Sequence, residues 1–183
     1  MEFQAIVLAD HDDGSSTRLY PLIESTPKSL LPCAGRPMLA YQLALLERNG
    51  FKDAIVVTTE KAREQLHSFD EIRKGKAGAT TIAIDIVALD EELDTADVLR
   101  AIKHKIRKDF VVISGDLVTD VNVHHLADVH RINDSTCTVL LRGPKEIVLK
   151  PGEKKPKNEG AIPDFIGTRL CLSLNPDTRN QHN

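Results

Sequence analysis

The strongest constraint in the sequence is an unbroken apolar run close to its start. Ala5, Ile6, Val7 and Leu8 follow one another with no polar alternation. A strand with one face in water alternates apolar and polar residues with period two. A strand that is apolar at every position is buried on both faces, the condition of a parallel sheet covered by helices. Residues 3–9 are therefore expected to hold the first, internal strand of such a sheet. Residues 110–113, Phe-Val-Val-Ile, make a second run of the same kind.

Elsewhere the period changes. Residues 38–50 carry Met38, Leu39, Tyr41, Leu43, Leu45 and Leu46 at helical spacing, with Pro37 at the start and Gly50 at the stop. Residues 54–57 predict a second strand, 60–69 a more polar helix and 81–89 a β-branched third strand, with Gly75 and Gly78 punctuating a loop. Asp94 or Thr95 is placed to cap a helix whose Val98, Leu99 and Ile102 face the sheet. Residues 124–132 predict a helix and 136–141 a further strand. This alternation predicts an α/β fold: a Rossmann-like, mainly parallel sheet with helices on both faces. Residues 1–175 are expected to form one domain. Within it, residues 150–160, KPGEKKPKNEG, form a flexible loop, and Phe165-Ile166 and residues 170–174 pair as a hairpin. Residues 176–183 are expected to fray as a disordered tail.

Composition narrows the classes of function. The chain has 183 residues, 41% hydrophobic and 28% charged, with a net charge of −3, so neither DNA nor an anionic membrane is an implied partner. No apolar run approaches the roughly 18 residues of a membrane helix. The first ten residues lack the basic region and small-residue cleavage site of a signal peptide. Cys33, Cys137 and Cys171 form no CxxC, and their odd number points to reduced thiols in the cytosol, each a small apolar filler.

The chemistry is concentrated in the long segment after the first strand, LADHDDGSSTRLYPLIESTPKSLLPCAGRPML. Its Thr17, Arg18, Leu19, Pro21, Leu22, Pro27, Lys28, Leu30, Leu31 and Pro32 follow the pattern of the sugar-nucleotide pyrophosphorylases, which this segment resembles. That family carries a glycine-rich loop ending Thr-Arg-Leu, then Pro-Leu, then Pro-Lys-Pro-Leu-Leu-Pro. Glycines let backbone N–H groups close on a phosphate. Here Asp10, His11, Asp12 and Asp13 stand in their place. At about 4 Å each carboxylate–phosphate pair costs roughly 4 kcal/mol near a protein surface, which offsets what Arg18 and Lys28 return. The acidic cluster is no calcium loop, because counting from Asp10 puts Ser15 and Pro21 where Gly and Glu belong.

The resemblance also implies a magnesium ligand at Asp116, which follows the second apolar run in Ser114-Gly115-Asp116. One carboxylate is a poor site for an ion that dehydrates reluctantly. A further glycine motif of the family, Gly-Thr-Ala, reads Asp94-Thr95-Ala96 here. Arg18, Lys28 and Asp116 are thus expected to be a vestigial nucleotide site, with no catalytic residue, no metal and no cofactor. His124-His125 has no zinc spacing, and the basic residues 150–157 read as a solvated loop.

Longer stretches resemble one branch more closely. MEFQAIVLA, LLERNGFKDAIVVTT, DTADVLRAI and DFVVISGDLVTDV resemble the gamma-subunit family of eukaryotic translation initiation factor 2B, over about residues 1–150 and again at DFIG, residues 164–167. That assembly is the guanine-nucleotide exchange factor for initiation factor 2. The resemblance implies the epsilon and other subunits and initiation factor 2 as partners, a cytosolic location and a supporting, non-catalytic role. It also implies a following left-handed β-helix, of which no repeat is present in these 183 residues. The alternative it leaves is a magnesium-dependent nucleotidyltransferase making a nucleotide sugar.

Overall fold

The computed structural model describes residues 3–10, 19–74, 82–90, 93–140 and 170–173. In chain order the elements are β1 (Gln4–Leu8), β2 (Pro32–Cys33), β3 (Arg36–Pro37), α1 (Met38–Arg48), β4 (Asp53–Thr59), α2 (Arg63–Lys74), β5 (Ala83–Leu89), α3 (Thr95–Ala101), β6 (Phe110–Ser114), α4 (Val123–Ile132), β7 (Cys137–Leu140) and β8 (Leu170–Ser173).

The main sheet has the order β5-β4-β1-β6-β8-β7. The two apolar runs of the sequence lie side by side at its centre: β1 pairs in parallel with β4 and β6, with Ile6 opposite Ile55 and Val112. Both faces of β1 are buried, as a run without alternation requires. On one face Ala5, Val7, Val56 and Ile113 meet Leu39, Leu43 and Leu46 of α1, Leu66 of α2 and Leu126 of α4. On the other, Ile6, Leu8, Ile55, Val57 and Val112 meet Val98 and Ile102 of the α3 region, with Leu99 packed alongside. Each such fully buried side chain contributes about 1.5–3 kcal/mol relative to exposure, so the core is anchored on β1.

Helix α1 begins at Met38 after Pro37 and is closed by Gly50 at φ +74°. Gly50 N–H donates to Glu47 O at 2.9 Å and Phe51 N–H to Leu46 O at 3.1 Å. This is a Schellman closure, and Phe51 and Leu46 share the same core. The buried Asn49 then ties two helices: its Nδ2 donates to Leu45 O and its Oδ1 accepts from Val123 N–H, each at 2.8 Å.

The structure departs from the sequence expectations at several places. Helix α2 spans Arg63–Lys74, beginning three residues later than expected and ending five later. Thr59 O accepts from Ala62 N–H in a turn that delays the start, and ion pairs of Asp70 with Arg73 and Lys74, each at 2.6 Å, carry the far end. The strand β8 does not form a local hairpin. It inserts between β6 and β7, antiparallel to both, so β7 runs parallel to β6 without touching it. Cys33 and Cys137 are exposed thiols, not core fillers. The short hairpin β2–β3, turning through Ala34 at φ +48° and Gly35 at φ +77°, carried no expectation at all. Residues 150–160, 165–166 and 176–183, on which the loop, the other half of the hairpin and the tail were placed, lie outside the described residues.

Candidate functional site

The chain's candidate chemistry gathers at the carboxyl ends of β1, β4 and β6, the edge where parallel sheets place their ligands. Asp10 follows β1. Its Oδ1 accepts the backbone N–H of Ser29 at 3.0 Å, and its Oδ2 accepts the hydroxyls of Ser29 at 3.1 Å and Thr58 at 2.6 Å. Ser29 and Thr58 are fully buried. One carboxylate thereby pins the 3₁₀ turn Lys28–Leu30 to the ends of β1 and β4.

This network changes the meaning of the acidic residue. The carboxylate is aimed at donors of the protein, with three hydrogen bonds on two oxygens, and not at an open loop. Ser29 stands where the pyrophosphorylase pattern has its second proline. A proline there offers neither the N–H nor the hydroxyl that Asp10 receives. The two departures from the pattern, at positions 10 and 29, are chemically one. Asp10→Ala is expected to strand three buried or half-buried donors, each worth about 1–3 kcal/mol when left unmade. A net loss of about 3 kcal/mol in urea unfolding, with faster amide exchange at Ser29, is the expected result.

Lys28, half-buried, opens the pinned turn. Asp116 lies past the end of β6, exposed, with its Oδ1 accepting the Ser114 hydroxyl at 2.5 Å. Between them the backbones of β1 and β6 come unusually close at Gly115, where an added Cβ would stand within 3.0 Å of the carbonyl oxygens of Leu8 and Ala9. Gln42 of α1, fully buried, donates its Nε2 to Gly115 O, and so supports the β6 end from below. Lys28 thus adjoins the turn held by Asp10, and Asp116 follows the neighbouring strand β6. Arg18 and residues 11–14 lie outside the described residues.

At the same edge, Asp94 holds the N-cap position of α3 by its backbone, and its carbonyl accepts from Val98 N–H at 2.9 Å. Its side chain makes no capping hydrogen bond, contrary to the sequence expectation. The acidic residue of that first turn is engaged instead: Asp97 pairs with Arg100 at 2.6 Å.

Magnesium asks for one or two carboxylates with substrate phosphates completing near-octahedral geometry. Asp116 supplies a single carboxylate already bonded to Ser114, and Asp10 is committed to Ser29 and Thr58. Among the described residues no three His, Cys, Asp or Glu side chains converge on a point. These donors do not fit a protein-built magnesium site.

Residues 4–147 match the model of the nucleotidyl transferase family. This chain belongs to that family. Among curated relatives, the translation initiation factor eIF2B gamma subunit of Dictyostelium discoideum is 34% identical over 176 residues, covering 90% of this chain and 39% of the relative. The gamma subunit of Schizosaccharomyces pombe is 36% identical over 143 residues, covering 76% and 30%. The chain therefore spans less than half the length of these relatives. Among solved structures, a putative glucose-1-phosphate thymidylyltransferase from Bacillus anthracis superposes with a TM-score of 0.69 at 19% identity, over 99% of this chain and 79% of that one. That likeness supports the nucleotidyl transferase fold: a mainly parallel sheet with helices on both faces.

The sequence reading placed Asp116 just past a buried strand, where the structure has it after β6, but missed the partners of Asp10. The signal was there, in the paired departures Asp10 and Ser29, but 19 residues separate them and only the fold joins them.

Proposed function

We propose that this chain is the nucleotidyltransferase-like domain of a gamma-type subunit of the exchange factor for translation initiation factor 2. In this reading it supports GDP/GTP exchange alongside an epsilon subunit, in the cytosol, and transfers no nucleotide itself. Its partners are the epsilon and other subunits and initiation factor 2, with no DNA and no membrane. Among the described residues no helix is long and apolar enough to cross a membrane. The similarity to gamma subunits supports the assembly.

The observation that carries the non-catalytic part is the Asp10 brace. An anion is built into the start of the phosphate loop and held there by Ser29 and Thr58. Though it is turned toward Ser29 and Thr58, its negative charge stands beside that loop, at a position where the family pattern carries glycine, and disfavours a triphosphate there. Lys28 and Asp116 become residues of position without a reaction.

Family membership keeps one competing reading in view, a magnesium-dependent nucleotidyltransferase with Arg18 and Lys28 on phosphates. Pyrophosphate release from GTP or UTP with sugar phosphates separates the two. The expected result is no turnover, and calorimetry with GTP and ATP should show no binding tighter than about 0.1 mM, or roughly −5.5 kcal/mol. Micromolar binding lost in Arg18→Ala would overturn that expectation and restore nucleotide sensing, and pyrophosphate release would sink the non-catalytic reading. In rebuilt exchange complexes, Asp116→Ala should alter partner binding and exchange by less than about threefold, as an exposed substitution usually costs within 0.5 kcal/mol. Loss of exchange in an assembled Asp116→Ala complex would mark the site as chemically active.

A further inference from the structure

The opposite edge of the sheet carries a second feature. A cleft of about 920 Å³ opens at the amino ends of β1, β4 and β5, walled on one side by the segment that follows α3. With strands of five to seven residues, the two edges stand about 17–23 Å apart. The cleft is therefore separate from the edge that holds Asp10 and Asp116.

Its charge is lopsided. Lys52, Arg107 and Lys108 line it, and all three are exposed. Lys103, also exposed, lies on the same segment. Among the described residues none of these four side chains has an ion pair or hydrogen bond. Of the two carboxylates in the cleft, Asp85 is already paired with Lys105 at 2.7 Å. That leaves Asp53 alone against the cations, in a chain whose net charge is −3. Basic residues concentrated in a concavity of an otherwise acidic protein focus a positive field outward.

The lining decides which anion fits. The nearby aromatic rings, Phe3 and Phe51, are each only 5% exposed, so no face is open for stacking bases of single-stranded nucleic acid. The Arg107 fork and the lysine ammonium groups hold carboxylate and phosphate alike, so the spacing of the cations, spread over Lys52 and residues 103–108, decides between them. Spread cationic charges along a cleft suit carboxylates spaced along an extended chain. We propose that this cleft docks an extended acidic peptide segment of a partner protein. The inference is independent of how the nucleotide edge is read.

The test uses the full 183-residue chain and a fluorescein-labelled twelve-residue peptide alternating Glu with Ser, followed by anisotropy. Binding is expected to weaken at least tenfold between 50 and 300 mM NaCl. The triple variant Lys103→Glu/Arg107→Glu/Lys108→Glu should weaken it at least tenfold at low salt, with an unchanged urea midpoint showing that the fold is intact. A matched variant in the other basic stretch, Lys154→Glu/Lys155→Glu/Lys157→Glu, should bind within threefold of wild type. Absent binding, equal losses in both variants, or displacement by millimolar inorganic phosphate would each overturn the proposal. So would a twelve-residue oligouridine that binds the wild type more tightly than the peptide and loses that binding in the first variant.

Discussion

Gly115→Ala is expected to cost the fold about 3 kcal/mol, the upper end of what overpacking usually costs. The added Cβ would meet backbone, not the end of a flexible side chain: the carbonyl oxygens of Leu8 and Ala9 both lie within 3.0 Å of it. Neither side can withdraw. Leu8 is in register with Ser114 and Val57 across the central strands, and Ala9 N–H donates to Val57 O at 2.8 Å. Gly115 is held from the other direction by the buried Gln42. With a urea slope of about 1–3 kcal/mol per M, the midpoint should fall by about 1 M or more. Gly50→Ala is the control. Gly50 sits at φ +74° with nothing within 4 Å, so its substitution carries only the left-handed backbone cost of about 1–2 kcal/mol. Equal losses at the two glycines would refute the close approach. The glycine before Asp116 is thus required by packing alone, and its presence says nothing about whether Asp116 does chemistry.

What the sequence made legible follows from range. The central strands declared themselves because four consecutive apolar residues admit one solution, and α1 because Pro37, Gly50 and the helical spacing all act within a dozen residues. Strand β8 was not legible as a sheet member, since residues 170–173 pair with β6 some sixty residues earlier and no local signal encodes that insertion. The site divided in the same way. Lys28 and Asp116 belong to short local motifs, which a sequence reading can single out. The partners of Asp10 come from Ser29 and Thr58, on a turn and a strand that only tertiary packing brings together. The cations at 103–108 carried no expectation, and they become a wall only when β1, β4 and β5 bring their amino ends beside them.

Asp70→Asn should lower stability by about 3 kcal/mol at neutral pH, and the deficit should disappear in acid. Arg73 is a buried guanidinium on α2 whose Nη2 donates to Asp70 Oδ1 at 2.6 Å and to Ile82 O at 2.9 Å. Removing the carboxylate takes from a buried cation the counter-charge that Asp70 supplies, and breaking a buried pair on one side usually costs about 3–5 kcal/mol. The lower end is expected here because the other partner, Lys74, is 62% exposed and its pairing is screened by water. Burial by itself raises the Asp70 pKa, but the hydrogen bonds from Lys74 and Arg73 and their positive charges outweigh it and hold it below the ordinary carboxylate value. A depressed folded pKa gives stabilisation that is fully present above the unfolded value, about 3.9, and is lost as pH falls through the folded one. The gap between wild type and Asp70→Asn in urea unfolding should therefore be flat from about pH 5 to 8 and shrink below about pH 4. Replacing both partners, as in Asp70→Leu/Arg73→Leu, should recover much of the loss, because an apolar pair of similar volume carries no desolvation cost. A gap that stays constant into acid, or a double variant no better than Asp70→Asn, would show that the pair does not anchor the end of α2 to the start of β5.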